Sequence, residues 1–175
     1  STIGEQSVHA QKLDWKRFTT DQFRKWYRIE IEPLKRITPD VPCTTNLMGT
    51  YPGINYFDLA KDLDFVCWDS YPQWESTEND IATAQFFSFE HDLTRGLKGG
   101  RPFFLMESCP SATNWRPYAR LHRPGVHALQ SMQAVGHGAD SVQYFQFRKS
   151  RGSSEKFHGA VVDHCGHEHT RVFAE

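Results

Sequence analysis

The sequence has no surplus of charge of either sign. Its 175 residues carry 20 Lys and Arg against 21 Asp and Glu, a net charge of −1 with histidine neutral. The basic residues are scattered, and the densest run, Arg148-Lys149-Ser150-Arg151, is short. A nucleic-acid partner calls for a basic face or stripe, so none is expected. No apolar stretch approaches the ~20 residues of a membrane span, and no apolar signal-peptide core opens the chain. The expectation is a soluble, cytoplasmic protein with no membrane partner. Cysteine is sparse: Cys43, Cys67, Cys109 and Cys165 form no C-x-x-C pair. That spacing excludes a disulfide framework and a zinc ribbon and fits free thiols in a reducing compartment. Internal repeats and low-complexity tracts are also lacking. The length fits one domain with enough chain to bury a sizeable core.

What the chain has in quantity is aromatic side chains, 14% of residues. Aromatics fill cores, but their rings also stack on the apolar C–H faces of a pyranose, and composition does not choose between these. Residues 1–18 are polar and carry no predicted element. Thr19-Thr20-Asp21 offers N-cap chemistry, and Phe23, Trp26, Tyr27, Ile31, Leu34 and Ile37 follow at roughly helical spacing, predicting a helix over about 20–37 with Pro33 inside it. Short apolar strands are predicted at 41–47, 63–68, 102–106 and 141–147. Helices are predicted at 55–61, 80–97 and 124–137, with another starting near Thr170. Strands that alternate with helices argue for a parallel sheet of βα units. Four such units make half of an eight-stranded barrel, whose complete form typically needs about 250 residues.

Polar and charged residues gather at the predicted strand ends. Asn46 ends the first, Asp69 and Tyr71 follow the second, Glu107 follows the third, and Gln146 and Arg148 lie at the fourth. In a βα barrel the C-terminal strand ends build the active-site face. Glu107, straight after Phe103-Phe104-Leu105-Met106, is the strongest candidate for chemistry. The competing role for such a carboxylate is to pair with an arginine or to cap the next helix.

Several stretches together resemble the β-galactosidases of glycoside hydrolase family 42. They are Thr44-Thr45-Asn46-Leu47-Met48-Gly49, Leu63-Asp64-Phe65-Val66-Cys67-Trp68-Asp69-Ser70-Tyr71-Pro72 and His91-Asp92-Leu93-Thr94-Arg95-Gly96. To these are added Phe104-Leu105-Met106-Glu107, Asn114-Trp115-Arg116, the turn 133–141 and the loop 151–163. The resemblance covers about residues 13–175. It implies a partial (β/α)8 TIM barrel, about strands five to eight with their helices, in which residues 19–175 form half of the catalytic domain.

The resemblance also implies chemistry. Such enzymes release β-linked galactose with retention, using two carboxyl groups roughly 5–5.5 Å apart. Glu107 matches the nucleophile. The acid/base normally sits in an Asn-Glu pair after strand four, and no Asn-Glu pair occurs in this sequence. Trp115 matches a galactose-stacking tryptophan, Glu155 and His158 match a pair that hydrogen-bonds sugar hydroxyls, and Phe145 matches an aromatic of strand eight. For each of these the alternative is packing or a loop-internal contact. Phe147 stands where the family often has tryptophan. His164, Cys165, His167 and His169 are ligand types that suit zinc, yet their spacing matches no standard site, so neither metal nor cofactor is expected.

Two functions remain open from sequence. One is a piece of a retaining β-galactosidase with a β-galactoside substrate. The other is a non-catalytic sugar-binding or assembly half-barrel. The open edges of a half-barrel further predict a homo-oligomer or a place within a longer chain.

Overall fold

The computed structural model describes residues 8–74, 79–118, 120–167 and 172. Helix α1 (His9–Ile37) starts well before residue 20, where the sequence predicts it. The hydroxyls of Thr19 and Thr20 explain the difference: they bond to the carbonyls of Trp15 (2.8 Å) and Lys16 (2.9 Å), four residues back. Threonines satisfied in this way sit inside a helix and do not cap it. Pro33 is carried within the helix, and Lys35 and Arg36 occupy the last turn, where cations complement the carbonyl end. Tyr27 anchors α1 by donating to the Cys43 carbonyl at 3.0 Å. Asp62 adds a clamp, receiving Arg24 at 2.6 Å and Arg28 at 2.7 Å.

Asn55 caps the short helix α2 (Tyr56–Leu59), its side chain accepting from the Phe57 N–H. Four strands follow the predicted pattern with shifted ends: β1 (Asn46–Leu47), β2 (Cys67–Ser70), β3 (Phe103–Ser108) and β4 (Ala139–Tyr144). They form one parallel sheet in the order β1-β2-β3-β4. Helix α3 (Asp80–Gly96) joins β2 to β3, and α4 (Val126–Gly136) joins β3 to β4. This is the arrangement expected of half a βα barrel. The predicted strand at 41–47 keeps only two ladder residues. Before them Thr44 Oγ1 bonds the Phe65 carbonyl at 2.6 Å and Cys43 O accepts from the Asp64 N–H at 3.0 Å. The helix predicted near Thr170 lies outside the described residues, as does His169. All four cysteines are free thiols. No helix of the described residues is long and apolar enough to cross a membrane.

The core lies between sheet and helices, built from Leu47, Val66, Trp68, Phe103 and Leu105 against Leu59, Leu63 and Ala134. Phe103 and Leu105 therefore face the helices. So does Ser108, whose Oγ accepts from Gln130 of α4 at 3.1 Å. Two helix-facing residues three apart break the two-residue alternation of a strand. The ladder shows the cause: Trp68 pairs with Leu105, but Asp69 pairs with Glu107, so Met106 is an extra residue on β3. That irregularity turns Glu107 to the face opposite Leu105 and sets it level with Asp69. Re-aiming a side chain is what such a bulge does.

Candidate active site

The strand ends gather the polar residues on the open face. Glu107, partly buried at the end of β3, is gripped from two sides. Its Oε2 accepts from the Tyr71 hydroxyl at 2.5 Å, and its Oε1 lies 3.4 Å from Asn46 Nδ2. Burial and the adjacent Glu107 carboxylate both raise the Tyr71 phenol far above its ordinary range, so Tyr71 stays protonated and donates. Asn46 Nδ2 also reaches both oxygens of Asp69, at 2.9 and 3.1 Å. Burial pushes the Asp69 carboxyl up to about 6, with Glu107 adding to the rise and the Asn46 hydrogen bond opposing it.

An aromatic wall continues from Tyr71. Trp115 meets it edge-on at 5.6 Å, and the His158 ring does so at 6.0 Å. Phe145, just after β4, meets His158 edge-on at 5.1 Å, and the Phe145–Gln146 peptide bond is cis. Trp115 is 55% exposed. Arg116 braces that loop: its guanidinium lies 4.8 Å from the centre of the Trp115 ring and donates to the Tyr71 carbonyl at 3.1 Å.

His158 is fully buried. Its Nδ1 lies 3.1 Å from Asn114 Oδ1, and Asn114 is oriented in turn by donating to the Ser154 carbonyl. The Nε2 atom is buried with no partner at hydrogen-bond geometry. Burial lowers the imidazole pKa, against the pull of Glu155, the nearby Phe145 carbonyl and Glu107. Glu155 is half-buried, and its carbonyl accepts from the His158 N–H at 3.0 Å.

A carboxylate held by a phenol and an amide thus stands at the strand ends, beside a tryptophan and a buried imidazole. The model of the glycoside hydrolase family 42 β-galactosidases matches residues 1–175. The chain belongs to that family. It is similar to β-galactosidase BglY of Alicyclobacillus acidocaldarius, 58% identical over 172 residues, covering 98% of this chain and 25% of BglY. The cold-adapted β-galactosidase of Rahnella sp. R3 superimposes with a TM-score of 0.92 at 57% identity, over 98% of this chain and 25% of that one. Gan42B, a family 42 β-galactosidase, gives a TM-score of 0.92 at 48% identity, over 99% of this chain and 26% of its own. The chain thus spans about a quarter of the length of these relatives, and its parallel sheet with helices is a partial α/β barrel.

The structure brings Glu107, Trp115, His158 and Phe145 together through Tyr71 and His158, with Glu155 three residues before His158. Sequence reasoning placed Asn46, Asp69 and Tyr71 at strand ends without giving them a role. Asn114 and Arg116 were visible only as the flanks of Trp115. What could have singled out Tyr71 was its place two residues past Asp69, where the open-face side chain of the neighbouring strand comes within reach.

Proposed function

We propose that this chain is the nucleophile-bearing part of a retaining β-galactosidase. The observation that carries the reading is Glu107 at the bulged end of β3, held by Tyr71 at 2.5 Å and facing the aromatic wall. The similar chains are named β-galactosidases, and the catalytic mutant of Gan42B replaces a glutamate by alanine.

In this reading the Glu107 carboxylate attacks the anomeric carbon of a terminal β-galactoside, the aglycone oxygen leaves, and water then hydrolyses the galactosyl ester. The general acid that protonates the leaving oxygen comes from outside residues 1–175. Such protonation is worth about 10²–10⁴ in rate, so residues 1–175 supply the nucleophile and part of the galactose site only. Trp115 stacks its exposed face on the sugar's C–H groups. With Nδ1–H donating to Asn114, the neutral His158 ring keeps Nε2 as an acceptor for a sugar hydroxyl. Glu155 accepts from a neighbouring hydroxyl, and Phe145 flanks the ring. The substrate is the partner this site addresses; a homo-oligomer or a longer chain covers the outer strand edges.

The test uses a full-length frame in which the matching stretch of BglY is replaced by these residues. Glu107→Ala abolishes turnover of an aryl β-galactoside, and added azide restores product as the α-galactosyl azide, because azide attacks from the face the carboxylate has vacated. Retained turnover, or a product of β configuration only, removes the assignment.

A further inference from the structure

Asn46, Asp69 and Glu107 stand on three neighbouring strands, and one side-chain amide joins them. Asn46 Nδ2 spans both oxygens of Asp69 (2.9 and 3.1 Å) and Oε1 of Glu107 (3.4 Å). The other end of the amide faces the strand beside it. Asn46 Oδ1 lies 4.0 Å from the Sγ of Cys67, its register partner on β2. Burial raises that thiol to about 11, so it stays protonated, with the Thr45 carbonyl as its nearer acceptor at 3.3 Å. The bulge that turns Glu107 to the open face is the same irregularity that sets it level with Asp69.

We infer that Asp69 is a positioning residue for the nucleophile: its carboxylate turns the Asn46 amide so that the N–H reaches Glu107, and Glu107 is thereby held at the angle from which it attacks. This rests on the reading of Glu107 as nucleophile. Tyr71 then holds Oε2 and Asn46 holds Oε1, so neither oxygen swings freely. The titratable groups facing Asp69 are Glu107 on β3, Cys67 and Tyr71 on its own strand and just beyond it, and, through space, Tyr56 of α2. Glu107 is the like-charged one, and burial together with it lifts the Asp69 carboxyl to about 6. Protonation of Asp69 removes an acceptor from Asn46 and slackens the bridge as the pH falls.

The experiment compares Asp69→Asn, Asn46→Ala and the double variant in the BglY frame, reading kcat and KM for an aryl β-galactoside and a galactosyl disaccharide across pH. Asp69→Asn should lower kcat about 10–100-fold, the scale of a misplaced reacting group, with KM little changed. The acid limb of kcat/KM should move to lower pH, because the carboxyl raised to about 6 at position 69, whose protonation slackens the bridge, is gone. Asn46→Ala, at an exposed position, should lose a similar factor, and the double variant no more than the worse single, as for members of one network. A wild-type kcat with an unmoved acid limb overturns the inference. So does an effect on KM alone, which makes Asp69 a sugar ligand, and so does a loss confined to the disaccharide, which makes it a proton donor. The Glu107→Ala variant with azide keeps the two failures apart. If no α-azide forms, the reading of Glu107 falls; if it forms while Asp69→Asn behaves as wild type, the role of Asp69 alone falls.

Discussion

Replacing Tyr71 by Phe removes one oxygen and leaves the ring that packs against Trp115 at 5.6 Å and His158 at 6.0 Å. What is lost is the hydroxyl donor 2.5 Å from Glu107 Oε2, the shortest contact that carboxylate makes among the described residues. A hydrogen bond to a charged group is worth about 1.5–3 kcal/mol. At tenfold per 1.36 kcal/mol this corresponds to a loss of about 10- to 150-fold in the step that depends on it. With Glu107 as the proposed nucleophile, that step is the breakdown of the galactosyl ester, where Glu107 departs as a carboxylate and the phenol meets its growing charge. Tyr71→Phe in the BglY frame should therefore accumulate the covalent intermediate. Stopped-flow with an activated aryl galactoside should show a burst of phenol release, followed by a steady state with kcat and KM both lowered. An unchanged kcat with no burst would mean that the hydroxyl does not act on the carboxylate during turnover.

Three further outcomes are expected in the same frame. Asp62→Ala should lower unfolding stability by about 1–2 kcal/mol, discounted because Arg28 is well exposed; a denaturation midpoint equal to wild type would show that the clamp on α1 contributes nothing. Burial alone would raise the Asp62 carboxyl, but Arg24 and Arg28 outweigh it and lower it. Its contribution is therefore present above the unfolded value of about 3.9 and is lost as pH falls through the lower folded value, a slope that Asp62→Ala should flatten. Gly49→Ala should cost about 2–3 kcal/mol, since Gly49 has φ +62°, a conformation costly for L residues, and an added Cβ would meet Glu90 Oε2 at 2.9 Å; urea denaturation reads it, and an unaltered midpoint would show that Glu90 can shift. His158→Ala should raise KM for the galactoside about threefold to tenfold, the value of one neutral hydrogen bond, and an unaltered KM would remove His158 from the sugar site.

The strand and helix order was legible because apolar runs such as Phe103 to Met106 carry their own signal, and the motif set named Glu107, Trp115, Glu155 and His158 as candidates, of which Glu107, Trp115 and His158 stand around Tyr71. The start of α1 was misplaced because Thr19 and Thr20 resemble caps in sequence, and only their bonds to Trp15 and Lys16 show them to be interior. The face of Glu107 was out of reach for a more physical reason. Strict alternation from Phe103 and Leu105 would send it toward the helices, and the single extra residue that reverses this is a property of pairing with β2. Tyr71, Asp69 and Asn46 went without roles on the same account, since their meaning depends on which residues of adjacent strands stand level.

In the proposed reaction the Glu107 carboxylate itself forms the bond to the sugar. The most direct measurement is to trap that bond with a 2-deoxy-2-fluorogalactoside carrying an activated leaving group, then map the labelled peptide by mass spectrometry. A stoichiometric label on Glu107, lost together with turnover in Glu107→Ala, is the result expected. A label on any other carboxylate would remove Glu107 as the nucleophile.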